Sequence, residues 1–160
     1  MIAVDVKSIA LFFFFTFMDE RIALISSAKA IKSFRKNFAK HPEIPAQITL
    51  IRSVIKIWED EKSSFSKGRQ ATAFSKEWIV PKGFDLNPWK EFQKHSTDDE
   101  LTSLVLVKIL NFKPAEVASA FNLSEGTVKY RLAKALVRLG KYSENPFAPI
   151  QKTGRLGLVR

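Results

Sequence analysis

The chain has 160 residues, no cysteine, 46% hydrophobic residues and a formal net charge of +10. This length suits one ordinary domain or two small ones, and the apolar fraction is sufficient for a folded core. The lack of cysteine excludes disulfides and thiolate metal sites, and it fits a reducing cytoplasm. The positive charge favours a polyanionic partner, either nucleic acid or an acidic membrane surface, without distinguishing between the two.

Residues 9–17 form an almost wholly apolar run, much shorter than the about 20 residues that a membrane-spanning helix needs. A secretory signal is not expected, because charged residues at 19–21 occupy the place of a small-residue cleavage site. Two interpretations remain for this run. Either it is a buried helix or strand, or translation starts at Met18 and residues 1–17 are not native. We favour the second, and mass spectrometry of the native N-terminus distinguishes them.

Two amphipathic helices are predicted next. The first covers residues 21–40, and the second covers residues 46–61 after a break caused by Pro42 and Pro45, each of which disfavours helical conformation in the residue before it. The predicted apolar stripe of the first helix is Leu24, Ala28, Ile31, Phe34 and Phe38, with basic residues and no acid on the rest. The second helix is expected to bury Ile48, Ile51, Ile55 and Trp58.

Residues 63–96 show no clear period and are rich in serine, glycine, proline and isolated aromatic residues, which predicts a linker. A short helix is expected to begin within residues 89–92. The larger apolar side chains of the linker are expected to dock onto the protein's own core or onto a groove of a partner, and we favour the first; they are Phe74, Trp78, Ile79, Phe84, Trp89 and Phe92.

A helical unit is predicted for the segment that follows the linker. Thr97 and Glu100 have the spacing of a capping box, so a support helix is expected to begin there and to end near Leu110. Pro114 suits the first turn of the next helix, because its fixed φ is helical and its missing N–H would have no partner there.

A sharp corner between two helices is predicted at residues 122–124. Asn122 tolerates the left-handed conformation that such a corner requires. Ser124 is expected to cap the following helix through backbone N–H groups near Gly126 and Thr127. Two short helices joined by a tight turn indicate a helix-turn-helix.

The second helix of this pair is predicted to have an apolar stripe, made of Val128, Leu132, Ala135, Leu136 and Leu139. Five basic residues between positions 124 and 141 oppose a single acid, Glu125; they are Lys129, Arg131, Lys134, Arg138 and Lys141. This imbalance suits a groove lined with phosphates, but the pattern alone also suits an ordinary solvated surface helix.

Residues 123–132, Leu-Ser-Glu-Gly-Thr-Val-Lys-Tyr-Arg-Leu, resemble region four of bacterial sigma factors, especially the extracytoplasmic-function group. The wider resemblance covers residues 101–139, and Tyr130 is the departure, where the family usually has a small residue. The resemblance implies that the second helix enters the major groove of a promoter −35 element. By analogy, Glu125, Thr127, Lys129 and Tyr130 face base edges. Phosphates are assigned to Ser124, Arg131 and Lys134, and Arg138 completes the predicted DNA-binding set.

Residues 30–35, Ala-Ile-Lys-Ser-Phe-Arg, resemble the end of sigma region two, a helix that in the family binds the clamp of core RNA polymerase. The resemblance implies that Lys32, Phe34 and Arg35 contact polymerase. In the family the next helix reads the −10 element; Arg52 and Lys56 are the candidates here, while Trp58 is favoured as a core residue.

The combined prediction is an all-α bacterial, cytoplasmic protein without a membrane span. Its parts are an N-terminal helical region at 1–62, a linker at 63–96, the DNA-binding unit at 97–142 and a flexible basic tail at 143–160. No catalytic residue, metal site or cofactor is predicted, because His41 and His95 are isolated and no glycine-rich phosphate loop follows a strand.

Three functions remain open. The favoured one is a sigma-like initiation factor that binds double-stranded promoter DNA and the RNA polymerase core. The others are a helix-turn-helix regulator without sigma activity, and an interaction module for polymerase or an anti-sigma protein.

Overall fold

The computed structural model describes residues 5–66 and 85–143, and every regular element in these two ranges is helical. The α-helices are α1 Val6–Phe17, α2 Glu20–Lys40, α3 Ala46–Ser66, α4 Asn87–His95, α5 Asp98–Leu104, α6 Pro114–Phe121 and α7 Glu125–Ser143. The predicted all-α class with a C-terminal helix bundle is confirmed. The tail predicted beyond Tyr142 lies outside the described residues except for Ser143, as do Phe74, Trp78, Ile79 and Phe84 of the predicted linker.

Helix α1 belongs to the hydrophobic core. It begins after Asp5, whose carboxylate accepts a hydrogen bond from the Lys7 N–H at 3.1 Å. Phe12 and Phe13 are 0% exposed, and their rings meet edge to face with centroids 5.2 Å apart. The apolar run at 9–17 therefore forms a buried helix, and a chain beginning at Met18 would lack both rings. The translation start at Met18 stays a prediction. In the described part of the chain, no helix combines the length and apolarity needed to cross a membrane.

Helix α2 has the predicted extent, but its buried side coincides only in part with the predicted stripe, of which Ile31 and Phe38 are half-buried. Leu24 is 54% exposed and Ala28 is exposed, so their assignment to the buried stripe was wrong. Phe34 is buried as predicted. Because the buried side consists mostly of small residues, α1 and α3 can pack closely against it. The buried residues of α2 are Glu20, Ile22, Ala23, Ser26, Ser27, Ala30 and Phe34.

Helix α3 follows its predicted pattern more closely. Ile51, Ile55 and Trp58 are buried, Ile48 is half-buried, and the core position favoured for Trp58 is confirmed. The helix extends to Ser66, several residues past the predicted end, because residues 62–66 continue the helical hydrogen bonding.

Helix α4 forms within the predicted linker. Its Trp89 and Phe92 are buried, which confirms for these two residues that the linker docks onto the protein's own core. The Trp89 indole N–H donates to the Phe15 carbonyl at 2.8 Å, and the Gln93 amide donates to the Thr16 carbonyl. Since α4 also packs against α7, it connects the first helix of the chain to the last one described.

A second contact joins the N-terminal helices to the helix-turn-helix. The Arg52 guanidinium donates from Nε to the Ala120 carbonyl at 3.1 Å and from Nη2 to the Ser119 carbonyl at 3.2 Å. These carbonyls lie at the C-terminal end of α6, where a positive charge is favoured by the helix dipole. Arg52, a candidate for −10 DNA by resemblance, thus fastens α3 to α6.

The support helix predicted from Thr97 to Leu110 begins as α5 and continues as a π-helix over Val105–Ile109. The Leu110 N–H reaches back five residues to the Val105 carbonyl, 3.0 Å away. Val105 and Leu106 are 0% exposed, so this segment passes through the core beneath the helix-turn-helix. Asn111, with φ 61°, then turns the chain towards α6.

Candidate nucleic-acid interface

The corner between α6 and α7 has the predicted construction. Asn122 adopts the left-handed conformation, with φ 57° and ψ 45°. The Leu123 N–H donates to the Ala118 carbonyl at 2.8 Å, the six-to-one bond of a Schellman motif. Ser124 Oγ accepts from the Thr127 N–H at 3.1 Å and lies 2.9 Å from the Thr127 hydroxyl oxygen. The start of α7 therefore has a fixed direction relative to α6.

The inner side of α7 packs against α4, α5 and α6. Val128, Leu132 and Ala135 are buried and Leu139 is half-buried, as predicted. Leu136 is 42% exposed, so its place in the buried stripe was wrong. Successive residues of an α-helix are rotated by about 100°. Because Ala135 faces the core, the next residue, Leu136, points away from it.

The outer side of α7 carries the residues predicted to face DNA. Lys129, Tyr130 and Lys134 are exposed, and 64% of Tyr130 is accessible. The Lys134 ammonium lies 5.6 Å from the centre of the Tyr130 ring, within range of a cation–π contact. Lys129 pairs with Glu125 one turn earlier, at 2.9 Å. These side chains point away from the helix packing and can meet a partner without unfolding.

Two arginines of the predicted DNA-binding set are paired within the protein. Arg131 Nη2 is 3.1 Å from a carboxylate oxygen of Asp99. Arg138 contacts both carboxylate oxygens of the buried Glu100, at 2.9 Å from Nε and 3.4 Å from Nη2. The pairing of Asp99 with Arg131 could not be predicted, because no local spacing links α5 to α7.

The environment of Glu100 keeps it ionised. Burial alone would raise the pKa of Glu100. Hydrogen bonds from Arg138 and from the Thr97 backbone, together with the charges of Arg138 and Lys134, outweigh this effect and hold the pKa below its ordinary value. The hydrogen bond to Glu100 correspondingly raises the pKa of Arg138. Glu100 also accepts from the Thr97 N–H at 3.0 Å, and Thr97 Oγ1 accepts from the Glu100 N–H at 3.1 Å, so the predicted capping box is present.

The three residues predicted to bind polymerase do not share one surface. Lys32 and Arg35 are exposed on α2, whereas Phe34 is 5% exposed and stacks on Phe38 with ring centroids 5.6 Å apart. Among the residues that the structure describes, no group of three histidine, aspartate or glutamate side chains is placed to bind a metal ion.

A capped helix that leaves a left-handed corner and turns its basic side outward defines a helix-turn-helix DNA-binding unit. Residues 98–139, which contain this unit, match the protein family described as sigma-70, region 4. The match begins at the first residue of α5 and extends into the last turns of α7, covering both helices and the corner. This segment is therefore similar to sigma-70 region 4, which confirms the resemblance drawn from the sequence.

The matched range is roughly a quarter of the chain and does not include the N-terminal helices. The resemblance of residues 30–35 to sigma region two remains a prediction. No curated protein and no solved structure matches the chain.

Proposed function

We propose that this protein is a sigma-like transcription initiation factor of a bacterial cytoplasm, which recognises a −35-type promoter element through α7 and contacts the RNA polymerase core. The observation that supports this most strongly is the exposed basic side of α7 within a segment that matches sigma-70 region 4. In the proposed complex, specificity comes from contacts to base edges and a large part of the affinity comes from phosphates.

The first two turns of α7 carry the proposed base contacts, by Glu125, Thr127, Lys129 and Tyr130. Thr127 is half-buried and its hydroxyl is engaged with Ser124, so its methyl group is the part most free to meet a base. The Glu125–Lys129 pair must open or rotate for Lys129 to reach a base edge. Such an exposed pair on one helix contributes only about 0.3–0.5 kcal/mol, so its opening is a small cost.

The proposed phosphate contacts come from Ser124 and Lys134, and from Arg131 on the side that faces α5. Lys134 is exposed and its ammonium lies over the Tyr130 ring, with no ion pair in the described structure, so we assign it the strongest phosphate contact. Arg138 would have to leave a buried carboxylate, and we therefore propose that it positions α7 in the free protein.

Lys134→Ala is expected to weaken binding to every duplex and to flatten the dependence of log affinity on log salt by about 0.9, the value for one neutralised phosphate. Titration of cognate and random duplex between about 50 and 200 mM salt measures both effects. Lys40→Ala removes the same charge from the exposed end of α2 and is the matched control. Equal slopes for the two variants would contradict the assignment.

Lys129→Ala is expected to relax the preference at one base pair and to cost about 1–3 kcal/mol against the best site. The reason is that a base-edge contact discriminates among sequences, whereas a phosphate contact does not. Competition binding with duplexes substituted at single positions locates the effect. Equal losses on cognate and random duplex would show that Lys129 holds a phosphate instead.

Contact with polymerase is proposed for Lys32 and Arg35, which lie on the exposed side of α2 without an acidic residue between positions 21 and 42. Phe34 is assigned a supporting role, since its ring is buried against Phe38. Residues 1–62 and 97–142 are the proposed polymerase-binding and promoter-binding regions, with a linker at 63–96.

A helix-turn-helix regulator without sigma activity is the second candidate. The hydrogen bonds from Arg52 to α6 favour it, because they join the two regions instead of leaving each free to bind its own element. An anti-sigma protein is a further proposed partner of the region 4 unit.

Selection of duplexes from a random pool, followed by run-off transcription with purified core polymerase, separates these functions. A specific transcript from a template bearing the selected sequence is expected. Specific binding without any transcript would identify a regulator. Failure to select any sequence would leave only the interaction module.

A further inference from the structure

We infer that Asp99 competes with DNA phosphates for Arg131 and thereby limits the affinity of α7 for duplex DNA. The inference rests on the proposed function, since it concerns the side of α7 that faces α5. It assigns a role in DNA binding to a residue outside the helix-turn-helix itself.

The two arginine pairs on this side of α7 differ in strength. The Arg138 side chain makes two contacts with Glu100, a carboxylate that is 4% exposed. Arg131 makes one contact with Asp99, and 61% of the Asp99 side chain is exposed. Buried pairs are costly to break, whereas exposed single contacts contribute little and are screened by salt. Arg131 is therefore the arginine that can exchange partners.

Arg131 lies where its guanidinium can pass from Asp99 to a DNA phosphate. The residue lies one position from Tyr130 and two from Lys129, both exposed on the outer side, while its own side chain is 25% exposed at the edge of that side. A phosphate that approaches Lys134 or Tyr130 also approaches this edge. Asp99 lies in the first turn of α5, across from Arg131, and its carboxylate faces the edge that a phosphate would approach.

Asp99 affects binding in two ways that act together. Before binding, it occupies the guanidinium that a phosphate would contact. After exchange, it remains as an exposed negative charge close to the bound phosphate, and like charges at short range repel. Both effects reduce the gain from the Arg131–phosphate contact on any sequence, so Asp99 acts on overall affinity rather than on base preference.

Asp99→Asn tests this inference, because asparagine keeps the shape and removes the charge. We expect about two- to fivefold tighter binding to cognate and random duplex alike near 50 mM salt, the scale of an exposed ion pair. We also expect the salt dependence to steepen by up to about 0.9, since Arg131 then neutralises a phosphate without leaving the Asp99 carboxylate as an uncompensated charge. Thermal unfolding of the variant checks that the fold is retained.

Asp60→Asn is the matched control, since it changes the net charge equally on an exposed residue of α3 that pairs with Lys56 one turn away. A second control introduces Asp99→Asn into Arg131→Gln, where the gain should disappear. An Asp99→Asn gain no larger than that of Asp60→Asn would overturn the inference, and so would a gain that persists without Arg131. In both cases the wild type still binds duplex; if neither the wild type nor any variant binds, the proposed function itself has failed.

Discussion

Phe12→Ala is expected to lower the free energy of unfolding by about 3–5 kcal/mol, the usual cost of removing a buried aromatic ring. The ring is 0% exposed and packs edge to face against Phe13, so its removal leaves a cavity in the centre of the core. Urea denaturation followed by circular dichroism measures the change. A loss of this size would be a large part of the stability of a chain this small.

Val6→Ala is the control for Phe12→Ala, because it lies on the same helix with 54% of its surface exposed. Its effect should stay within about 0.5 kcal/mol. If the two variants differed by less than about 1 kcal/mol, α1 would not pack in solution as described. That result would favour the interpretation in which translation starts at Met18 and residues 1–17 are not native.

Glu100→Gln is expected to destabilise the protein by about 1–3 kcal/mol at neutral pH, because Arg138 loses the charge of a buried partner. Glutamine at this position of a capping box can still accept from the Thr97 N–H, so the helix start is preserved. The variant therefore separates the ion pair from the cap. Denaturation at several pH values measures the effect.

The pH dependence follows from the lowered pKa of Glu100, whose ordinary value is 4.5. A lowered pKa in the folded state means that the carboxylate stabilises the fold above pH 4.5 and that this contribution is lost as the pH falls through the folded pKa. The difference between wild type and Glu100→Gln should thus be complete at pH 7 and should shrink under acid. A difference that stays constant from pH 7 to pH 3 would contradict the account.

Glu91→Gln provides the control for the Glu100 experiment. The pKa of Glu91 is also lowered, chiefly by a hydrogen bond from Lys94, but both side chains are substantially exposed to solvent. Solvent screening should leave this pair without a measurable effect on stability. Comparing the two variants isolates the contribution of burial.

The features that the sequence predicted best are those determined by neighbouring residues. The capping box needs only Thr97 and Glu100, and the corner needs Asn122 and Ser124. In each case a side chain bonds to backbone three residues away or adopts a locally preferred conformation, so the spacing itself specifies the structure. The outer side of α7 could be predicted in part from helical periodicity, which placed Lys129, Tyr130 and Lys134 correctly and Leu136 wrongly.

The features that could not be predicted depend on which helix packs where. The buried side of α2 is set by α1 and α3, which fit against Ala23 and Ala30, while the larger Leu24 stays outside. Hydrophobic periodicity gives large residues more weight than alanine or serine, so it included Leu24 and omitted the small residues that α2 buries. Pairing of Arg131 with Asp99 was equally hidden, since any of several acids could have been its partner.

The hydrogen bonds from Arg52 to the end of α6 couple the N-terminal helices to the helix-turn-helix. The guanidinium donates to carbonyls that lie just before the corner between α6 and α7. The position of α3 is therefore coupled to the direction of α7 through the end of α6. A displacement of α3 would therefore also displace the start of α7, and by thermodynamic reciprocity DNA bound to α7 would bias the position of α3. Binding of DNA to α7 and the position of α3 would in this way depend on each other.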